Sequence, residues 1–196
     1  MREHQVNKEG NFLSGWYMED DGLFDKIIAF HTTAKTRTEG RTASNEDGSA
    51  IVDPSVKRSY DSNLYESPEL IEKYFKLLQP IVNKYIEQYP YSNYYSPWRI
   101  TDAVNVQHYP PGGGYYSWHT ERTASCEPST SRHLVFMTYL NDVNEGGETE
   151  FFHQKLKIKP EKGLTLIWPA DWTFTHRGVV APNEDKYLIT SWFNFV

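Results

Sequence analysis

The chain has 196 residues, a net charge of −6 and an aromatic content of 15%, which together suggest one globular domain. The acidic balance argues against a general binder of nucleic acid or of anionic membranes, because both partners require a basic protein surface. Disorder of the whole chain is also excluded, since disordered chains are poor in aromatic residues.

The sequence shows no targeting segment and no membrane-spanning segment. The N-terminal residues lack the apolar run of a signal peptide, and no stretch approaches the ~20 apolar residues of a spanning helix. The single cysteine, Cys126, cannot form an internal disulfide, which fits a reducing compartment. We therefore expect a cytoplasmic protein without nucleic-acid or membrane partners.

The first predicted element is a short amphipathic helix, and a long polar segment follows it. Asp20-Asp-Gly22 precedes four apolar residues at helical spacing, which are Leu23, Phe24, Ile27 and Ile28. Residues 31–62 show little periodicity, so we expect a long loop with one strand around Ala50–Val52. A loop of this length inside a compact domain is either a lid over a binding site or a mobile insertion.

A second, longer helix is the clearest element of the sequence. Ser67 is a good N-cap residue, and Pro68 suits the first helical position. A wide apolar stripe then runs from Leu70 to Tyr89 and predicts a packing helix without catalytic chemistry. Pro80 lies inside this stripe and should kink or divide the helix.

After Pro97 the pattern changes to short strands separated by turns. The segments rich in β-branched and aromatic residues are 99–109, 133–140, 163–168 and 186–196. Turns rich in glycine, proline and polar residues separate them, at 110–114, 144–147, 160–163 and 182–185. Helices followed by an all-β half indicate one α+β domain, with residues 1–97 as helical support and lid loop and residues 98–196 as a sandwich or barrel.

Three residues of this second half could hold a metal ion. His119 and Glu121 are two residues apart, so on an extended strand both side chains point to the same face. His176 is the best candidate for a third ligand. Two histidines and one carboxylate on a single face leave open coordination positions, as in non-haem Fe(II) oxygenases. The His-X-Glu spacing alone is common by chance, and most examples are surface residues.

Further motifs occur in a fixed order around these residues. They are Tyr109-Pro-Pro-Gly-Gly-Gly-Tyr-Tyr116-Ser-Trp-His119-Thr-Glu121, Val135-Phe-Met-Thr-Tyr139-Leu-Asn-Asp142, Gly146-Gly-Glu-Thr-Glu-Phe151, and Lys186 ten residues after His176. From Asn105 to Asn194 this order resembles the 2-oxoglutarate- and Fe(II)-dependent oxygenases, in particular stand-alone microbial or viral prolyl 4-hydroxylases. The resemblance implies a double-stranded β-helix, a barrel of the jelly-roll or cupin-like type, supported by the N-terminal helices.

The resemblance also implies a role for each of ten residues. The Fe(II) ligands and catalytic residues would be His119, Glu121 and His176. The cosubstrate 2-oxoglutarate would be held by Tyr109, Tyr139, Lys186, Thr190 and Trp192. Among these, Lys186 would neutralise the far carboxylate, because a buried carboxylate must be paired. The substrate would meet Arg132 at the entrance and Tyr116, which alternatively only packs.

The reaction implied is hydroxylation of a C–H bond, with proline in a protein or peptide as the favoured substrate. It would use O₂ and release succinate and CO₂, with ascorbate as an optional addition. A free amino acid or small molecule is the alternative substrate. A non-catalytic binding module is the third interpretation, because the family carboxylate is Asp and this chain has Glu121. The extra methylene moves the carboxylate outward by roughly 1.3–1.5 Å, which the rotamer or backbone must compensate.

Overall fold

The computed structural model of the protein describes residues 1–19, 21–43, 49–123 and 127–196. Asp20, the centre of the polar segment 31–62, and Cys126 lie outside the described residues. Within these ranges, no helix combines the length and the apolar character needed to cross a membrane.

The described residues form two α-helices and sixteen β-strands, most of which are short. The helices are α1 (Leu23–Thr33) and α2 (Pro68–Gln88). The strands are β1 (Arg2–Glu3), β2 (Ser14–Tyr17), β3 (Thr38–Glu39), β4 (Thr42–Ala43), β5 (Ala50–Ile51), β6 (Lys57–Arg58), β7 (Tyr60–Asn63), β8 (Trp98–Ile100), β9 (Asn105–Tyr109), β10 (Gly114–Tyr115), β11 (Arg132–Tyr139), β12 (Thr149–Phe151), β13 (Leu156–Ile158), β14 (Leu164–Pro169), β15 (His176–Gly178) and β16 (Lys186–Phe195). Four short 3₁₀-helices lie at Leu64–Glu66, Pro90–Asn93, Ser129–Ser131 and Trp172–Phe174.

Both predicted helices form, with two local differences from expectation. Gly22 has a φ of 75°, a left-handed conformation that glycine adopts without strain, and α1 begins directly after it. The helix α2 begins at Pro68 as expected, but the side chain of Ser67 makes no capping hydrogen bond. Pro80 does not divide α2, because buried apolar residues on both sides of it pack against the sheet and stabilise the continuous helix.

Most strands assemble into one large antiparallel sheet and a small three-stranded sheet that packs on its inner face, while β6 pairs with β10 and β4 pairs with β5 in two-stranded sheets. The large sheet has the order β1-β2-β14-β11-β16-β9-β7-β3, and β8 pairs with the end of β16. The small sheet has the order β13-β12-β15. The strand β16 therefore lies between β11 and β9, and the inward side chains of these three strands point towards the small sheet.

Alternation along β11 shows how the large sheet separates two cores. Leu134 and Phe136 contact a cluster that contains residues of α1 and α2, on the outer face of the sheet. Val135, Met137 and Tyr139 belong to a second cluster with Phe151 of the small sheet, on the inner face. The helices thus support the sheet from outside, and the space between the two sheets is left for the site.

The structure differs from the sequence expectations in several places, including the following three. Residues 99–109 form two strands, β8 and β9, rather than one. The strand β2 was not expected, because residues 14–17 are too few to show a period. The segment 31–62 is not a single loop: α1 extends to Thr33, and β7 is a member of the large sheet through its pairing with β9.

His31 is a fully buried histidine on α1, and it should make the stability of the protein sensitive to acid. Burial, assisted by the charge of Arg37, lowers the pKa of His31 to about 4. His31 therefore takes up a proton near pH 6.5 in the unfolded chain, but only near pH 4 in the folded chain. Stability should fall as the pH drops through this range, by up to about 3 kcal/mol.

The measurement is chemical denaturation of the metal-free protein at several pH values between 7 and 4. We expect His31→Gln to flatten the loss of stability relative to the unsubstituted protein. The matched control is His153→Gln, at an exposed histidine, which should keep the original slope. Equal slopes for His31→Gln and the unsubstituted protein would contradict the assignment.

Candidate active site

Two histidines from distant parts of the chain are held side by side by a single β-bridge. His119 N donates to the carbonyl oxygen of His176, and His176 N donates to that of His119, each at 3.0 Å. The centroids of the two imidazole rings lie 4.3 Å apart. The backbone thus places both side chains in the same region between the sheets.

Both imidazoles are oriented in the same way. The Nδ1 atom of His119 lies 3.0 Å from the carbonyl oxygen of Ser117, and that of His176 lies 2.9 Å from the carbonyl oxygen of Phe174. A carbonyl oxygen can only accept, so each Nδ1 carries the proton and each Nε2 keeps its lone pair. The lone pairs are therefore available for a metal ion, with the backbone as the outer support.

The carboxylate of Glu121 completes the cluster. Its Oε1 atom lies 3.6 Å from His119 Nε2 and 3.4 Å from His176 Nε2. One ligand atom from each of the three residues falls within 4.8 Å of the others. The conformation of Glu121 therefore accommodates the extra methylene group and keeps the carboxylate next to both imidazoles.

The protonation states of the three residues suit a metal ligand set. Burial, together with the neighbouring His176, lowers the pKa of His119. Burial alone would raise the pKa of Glu121, but the two histidines in their protonated form hold that pKa well below its usual range through hydrogen bonds and charge. A neutral imidazole and an ionised carboxylate are the forms that bind metal. Two nitrogen donors and one carboxylate oxygen fit Fe(II).

A cavity of about 510 Å³ opens next to this cluster, between the large and small sheets. Its wall includes the three candidate ligands, and it extends inward to Lys186 at the start of β16. Thr190 and Trp192 project from the same face of β16, because residues two apart on a strand share a face. The cavity has room for a small dicarboxylate beside the metal position.

Lys186 is a buried cation in the wall of this cavity. Its Nζ donates to the carbonyl oxygen of Gly147 at 3.0 Å and lies 4.7 Å from the centroid of the Tyr109 ring. Gly147 has a φ of 74°, which glycine adopts readily, and this turn aims its carbonyl at Lys186. Burial lowers the pKa of Lys186 to about 8, although the charge of Glu148 opposes the shift. The site therefore offers a positive charge that costs stability until an anion binds.

The remaining predicted cosubstrate residues lie in different positions. Tyr109 lines the cavity, with its hydroxyl donating to Gln107 Oε1 at 2.9 Å. Thr190 also lines the cavity, with its hydroxyl donating to the carbonyl oxygen of Phe136 at 3.2 Å. Tyr139 lies behind the wall, since its hydroxyl is 2.6 Å from Thr149 Oγ1, and Thr149 is the residue that faces the cavity.

The two predicted substrate residues are also separated. Arg132 lines the cavity beside Glu121 and Trp192. Tyr116 does not line it: its hydroxyl donates to the carbonyl oxygen of Gly112 at 3.0 Å and closes the glycine-rich turn. The neighbouring Tyr115 faces the cavity, where its ring stacks on His119 with centroids 3.7 Å apart.

The sequence analysis assigned no role to several cavity residues, among them Tyr115, Thr149 and Lys57. Tyr115 could have been found from the strand period, since it lies on the opposite face from Tyr116. Thr149 follows the Gly146-Gly147 turn in a motif that was noted without a role. Lys57 gave no signal, because it lies in the polar segment 31–62, yet it is buried and pairs with Asp61 at 2.5 Å.

The mouth of the cavity leads into a second groove of about 880 Å³. The groove shares Arg132 and Trp192 with the cavity and continues past charged residues, including Glu39 and Asp61. Exposed aromatic side chains also lie near the metal cluster. Trp118 directly precedes His119, contacts the ring of Phe152, and lies under the guanidinium of Arg177, another cavity residue.

The second half of the chain matches the model of a known protein family. Residues 104–194 match the family model of the 2OG-Fe(II) oxygenase superfamily, which covers β9 to β16 and all three candidate ligands. No curated protein matches the sequence of this chain.

Solved structures resemble the whole chain. The viral collagen prolyl hydroxylase of Paramecium Bursaria Chlorella virus-1, in complex with 2OG, has a TM-score of 0.67 and 20% identity, over 95% of this chain and 98% of that one. A Pseudomonas putida prolyl-4-hydroxylase has a TM-score of 0.68 and 15% identity, over 97% and 95%. A Trichoplax adhaerens prolyl hydroxylase, in complex with a hypoxia inducible factor peptide, has a TM-score of 0.70 and 17% identity, over 97% and 86%. The predicted jelly-roll fold is confirmed.

Proposed function

Because this chain is a 2OG-Fe(II) oxygenase, which requires Fe(II), 2-oxoglutarate and O₂, we propose that it hydroxylates proline in a protein or peptide. The products besides hydroxyproline would be succinate and CO₂. The observation that carries the proposal is the cluster of His119, Glu121 and His176 beside a cavity whose wall holds the buried cation Lys186.

We assign the metal and its chemistry to the three-residue cluster. His119 and His176 would bind Fe(II) through Nε2, and Glu121 through Oε1. When bound with 2-oxoglutarate, the iron supplies the oxidising power for C–H hydroxylation, which no protein side chain has. The chain's own task is to fix these three atoms, and the Nδ1 contacts to backbone carbonyls do this for both imidazoles.

Binding of 2-oxoglutarate is assigned to the inner part of the cavity. The ammonium group of Lys186 would pair with the far carboxylate, which has left water and must be neutralised. The hydroxyls of Thr149 and Thr190 lie on the same wall. That of Thr149 can donate to the carboxylate while it accepts from Tyr139, and that of Thr190 can do so after its proton turns away from the carbonyl oxygen of Phe136. Tyr139 orients Thr149 from behind through their 2.6 Å hydrogen bond. The ring of Tyr109 covers Lys186 and keeps water away from its charge.

A peptide is favoured over a free amino acid by the shape and lining of the mouth. A free amino acid would fill only part of the cavity, and the adjoining groove has room for the residues that flank a target proline. The exposed rings of Trp118, Phe152 and Trp172 provide the aromatic surface on which proline-rich segments dock. The Trichoplax relative, which has this fold, was solved with a peptide bound.

The test is an assay that records succinate and substrate mass in the same reaction. We expect proline-rich peptides to gain one oxygen atom in the presence of Fe(II), 2-oxoglutarate and O₂. Peptides with alanine in place of the modified proline should stay unchanged, and His119→Ala should produce no succinate. The control His4→Ala, remote from the cavity lining, should remain active.

Two outcomes would contradict the proposal in different ways. Hydroxylation of a free amino acid or another small molecule, with every proline peptide unchanged, would contradict the substrate assignment and keep the oxygenase chemistry. Absence of succinate under all conditions would support a non-catalytic module. An anaerobic titration of Fe(II)-loaded protein with 2-oxoglutarate separates these cases, because chelation produces a visible charge-transfer band.

A further inference from the structure

The two carboxylate oxygens of Glu121 have different partners. Oε1 faces the two imidazoles at 3.4 and 3.6 Å. Oε2 points the other way and accepts a hydrogen bond from Trp192 Nε1 at 3.0 Å, with Arg132 Nη1 at 3.7 Å. One oxygen is thus presented to the metal position and the other is held by the protein.

We propose that Trp192 and Arg132 form a clamp that positions Glu121 and so allows a glutamate to serve as the carboxylate ligand. Glutamate has one more rotatable bond than aspartate, and fixing a free side-chain rotor has an entropic cost. The bond from Trp192 selects one rotamer before metal binds. It also occupies Oε2, so that the metal would meet a single carboxylate oxygen. The inference rests on the proposed metal site.

The clamp is itself fixed by a chain of contacts behind it. The guanidinium of Arg132 stacks on the Trp192 ring, with Cζ 3.6 Å from the ring centroid. Arg132 Nη1 also donates to the backbone oxygen of Glu121 at 2.9 Å. Its Nε donates to Asp102 Oδ2 at 3.2 Å, and Asp102 Oδ1 accepts from Asn194 Nδ2 at 2.9 Å.

The register of two strands explains why these groups meet. Arg132 of β11 is paired with Asn194 of β16. Trp192 and Asn194 are two residues apart on β16, so both lie on the face that carries Lys186 and Thr190. Asp102 and Asn194 are buried, and their bond fixes Arg132 from the side away from the cavity. One face of β16 therefore carries both the residues assigned to cosubstrate binding and the tryptophan that positions Glu121.

The first test uses the metal-free protein and needs no catalysis. The indole N–H resonance of Trp192 in a ¹H–¹⁵N spectrum should show the downfield shift of a proton bonded to a carboxylate. Replacing the carboxylate by Glu121→Ala should move this resonance upfield, while the indole resonance of Trp98 stays in place. An unchanged Trp192 resonance in Glu121→Ala would overturn the clamp, whether or not the protein is an enzyme.

The second test measures binding of Co(II), a stable spectroscopic substitute for Fe(II). Trp192→Phe keeps a ring under Arg132 but removes the donor to Oε2. We expect it to weaken Co(II) binding roughly tenfold to 100-fold and to change the visible spectrum, as the freed oxygen becomes a second donor. The matched control is Trp98→Phe, which also loses one indole hydrogen bond, to the carbonyl oxygen of Ser92. Trp98 lies on β8, which pairs with the edge of β16 opposite β11.

A double substitution separates positioning from a general loss of structure. In Glu121→Asp the shorter carboxylate cannot span both the imidazoles and the indole, so adding Trp192→Phe should change Co(II) affinity by less than threefold. An equal loss in both backgrounds, or unchanged affinity and spectrum in Trp192→Phe alone, would overturn the proposal. If the unsubstituted protein bound no Co(II), the proposed metal function would fail, and the resonance test would still decide the clamp.

Discussion

Replacing Lys186 with methionine should make the ligand-free protein more stable while raising the KM for 2-oxoglutarate by roughly 10²–10³-fold. Burial lowers the pKa of Lys186 from 10.5 to about 8, and this shift means that the charged form costs about 3 kcal/mol in the folded protein. Methionine has a similar length, carries no charge and fits apolar surroundings. The free protein therefore gains stability, and the bound carboxylate loses the ammonium group assigned to pair with it.

The stability half of this prediction is checked by thermal unfolding without 2-oxoglutarate. We expect Lys186→Met to raise the Tm by about 6–12 °C, taking about 2–4 °C for each of about 3 kcal/mol in a chain of this size. The matched control is Lys159→Met at an exposed lysine, which should leave both the Tm and the KM unchanged. A lower Tm together with an unchanged KM would show that Lys186 is a structural residue.

The same lysine should give the enzyme a pH dependence with a definite sign. Its pKa is lower in the folded protein, so the folded state loses the proton first, and stability should rise as the pH increases from about 8 to 10.5. Cosubstrate binding should move in the opposite direction, because it requires the ammonium form. Above about pH 8 the KM for 2-oxoglutarate should increase about tenfold for each pH unit, and this dependence should be absent in Lys186→Met.

Replacing His176 with alanine should reduce turnover to background and weaken metal binding by at least about 100-fold. The substitution removes one of the two nitrogen donors and leaves Glu121 with a single imidazole neighbour. Metal affinity is measured by titration of the metal-free protein with Co(II), and turnover by succinate release. The backbone bridge to His119 uses only main-chain atoms, so the fold should survive the change.

A matched control distinguishes the loss of a ligand from the loss of a histidine. His153→Ala removes a histidine that lies outside the three-residue cluster and should keep the metal affinity of the unsubstituted protein. The circular dichroism of His176→Ala should match that of the unsubstituted protein. Retention of full Co(II) affinity in His176→Ala would contradict the assignment of the third ligand.

The parts of the site that could be predicted from sequence are those that depend on local spacing. His119 and Glu121 are two residues apart, and Lys186, Thr190 and Trp192 share one face of a single strand. The period of two residues determines such relations within a strand, whatever the surrounding fold. His176 is the best candidate for a third ligand from its sequence context, whereas the roles of Lys186, Thr190 and Trp192 are implied only by the resemblance to a family. Nothing in the local sequence shows that residue 176 lies next to residue 119.

The parts that could not be predicted depend on pairing between distant strands. Tyr139 hydrogen-bonds to Thr149 instead of lining the cavity, and this exchange depends on how the small sheet packs on the large one. The clamp on Glu121 depends on the register of Arg132 opposite Asn194. Lys57 enters the cavity because β6 pairs with β10, a contact between a polar segment and a glycine-rich turn. Single-sequence periodicity contains no information about these contacts.

The position of β16 has a consequence for how the chain is made. It follows every other strand in the sequence and lies between β11 and β9 in the large sheet. During synthesis β11 and β9 each keep one open edge of unpaired backbone groups until residues 186–195 have left the ribosome. Open edges are the sites at which chains pair with one another and aggregate. The strand that carries Lys186, Thr190 and Trp192 therefore also covers the open edges of β11 and β9 in the newly made chain.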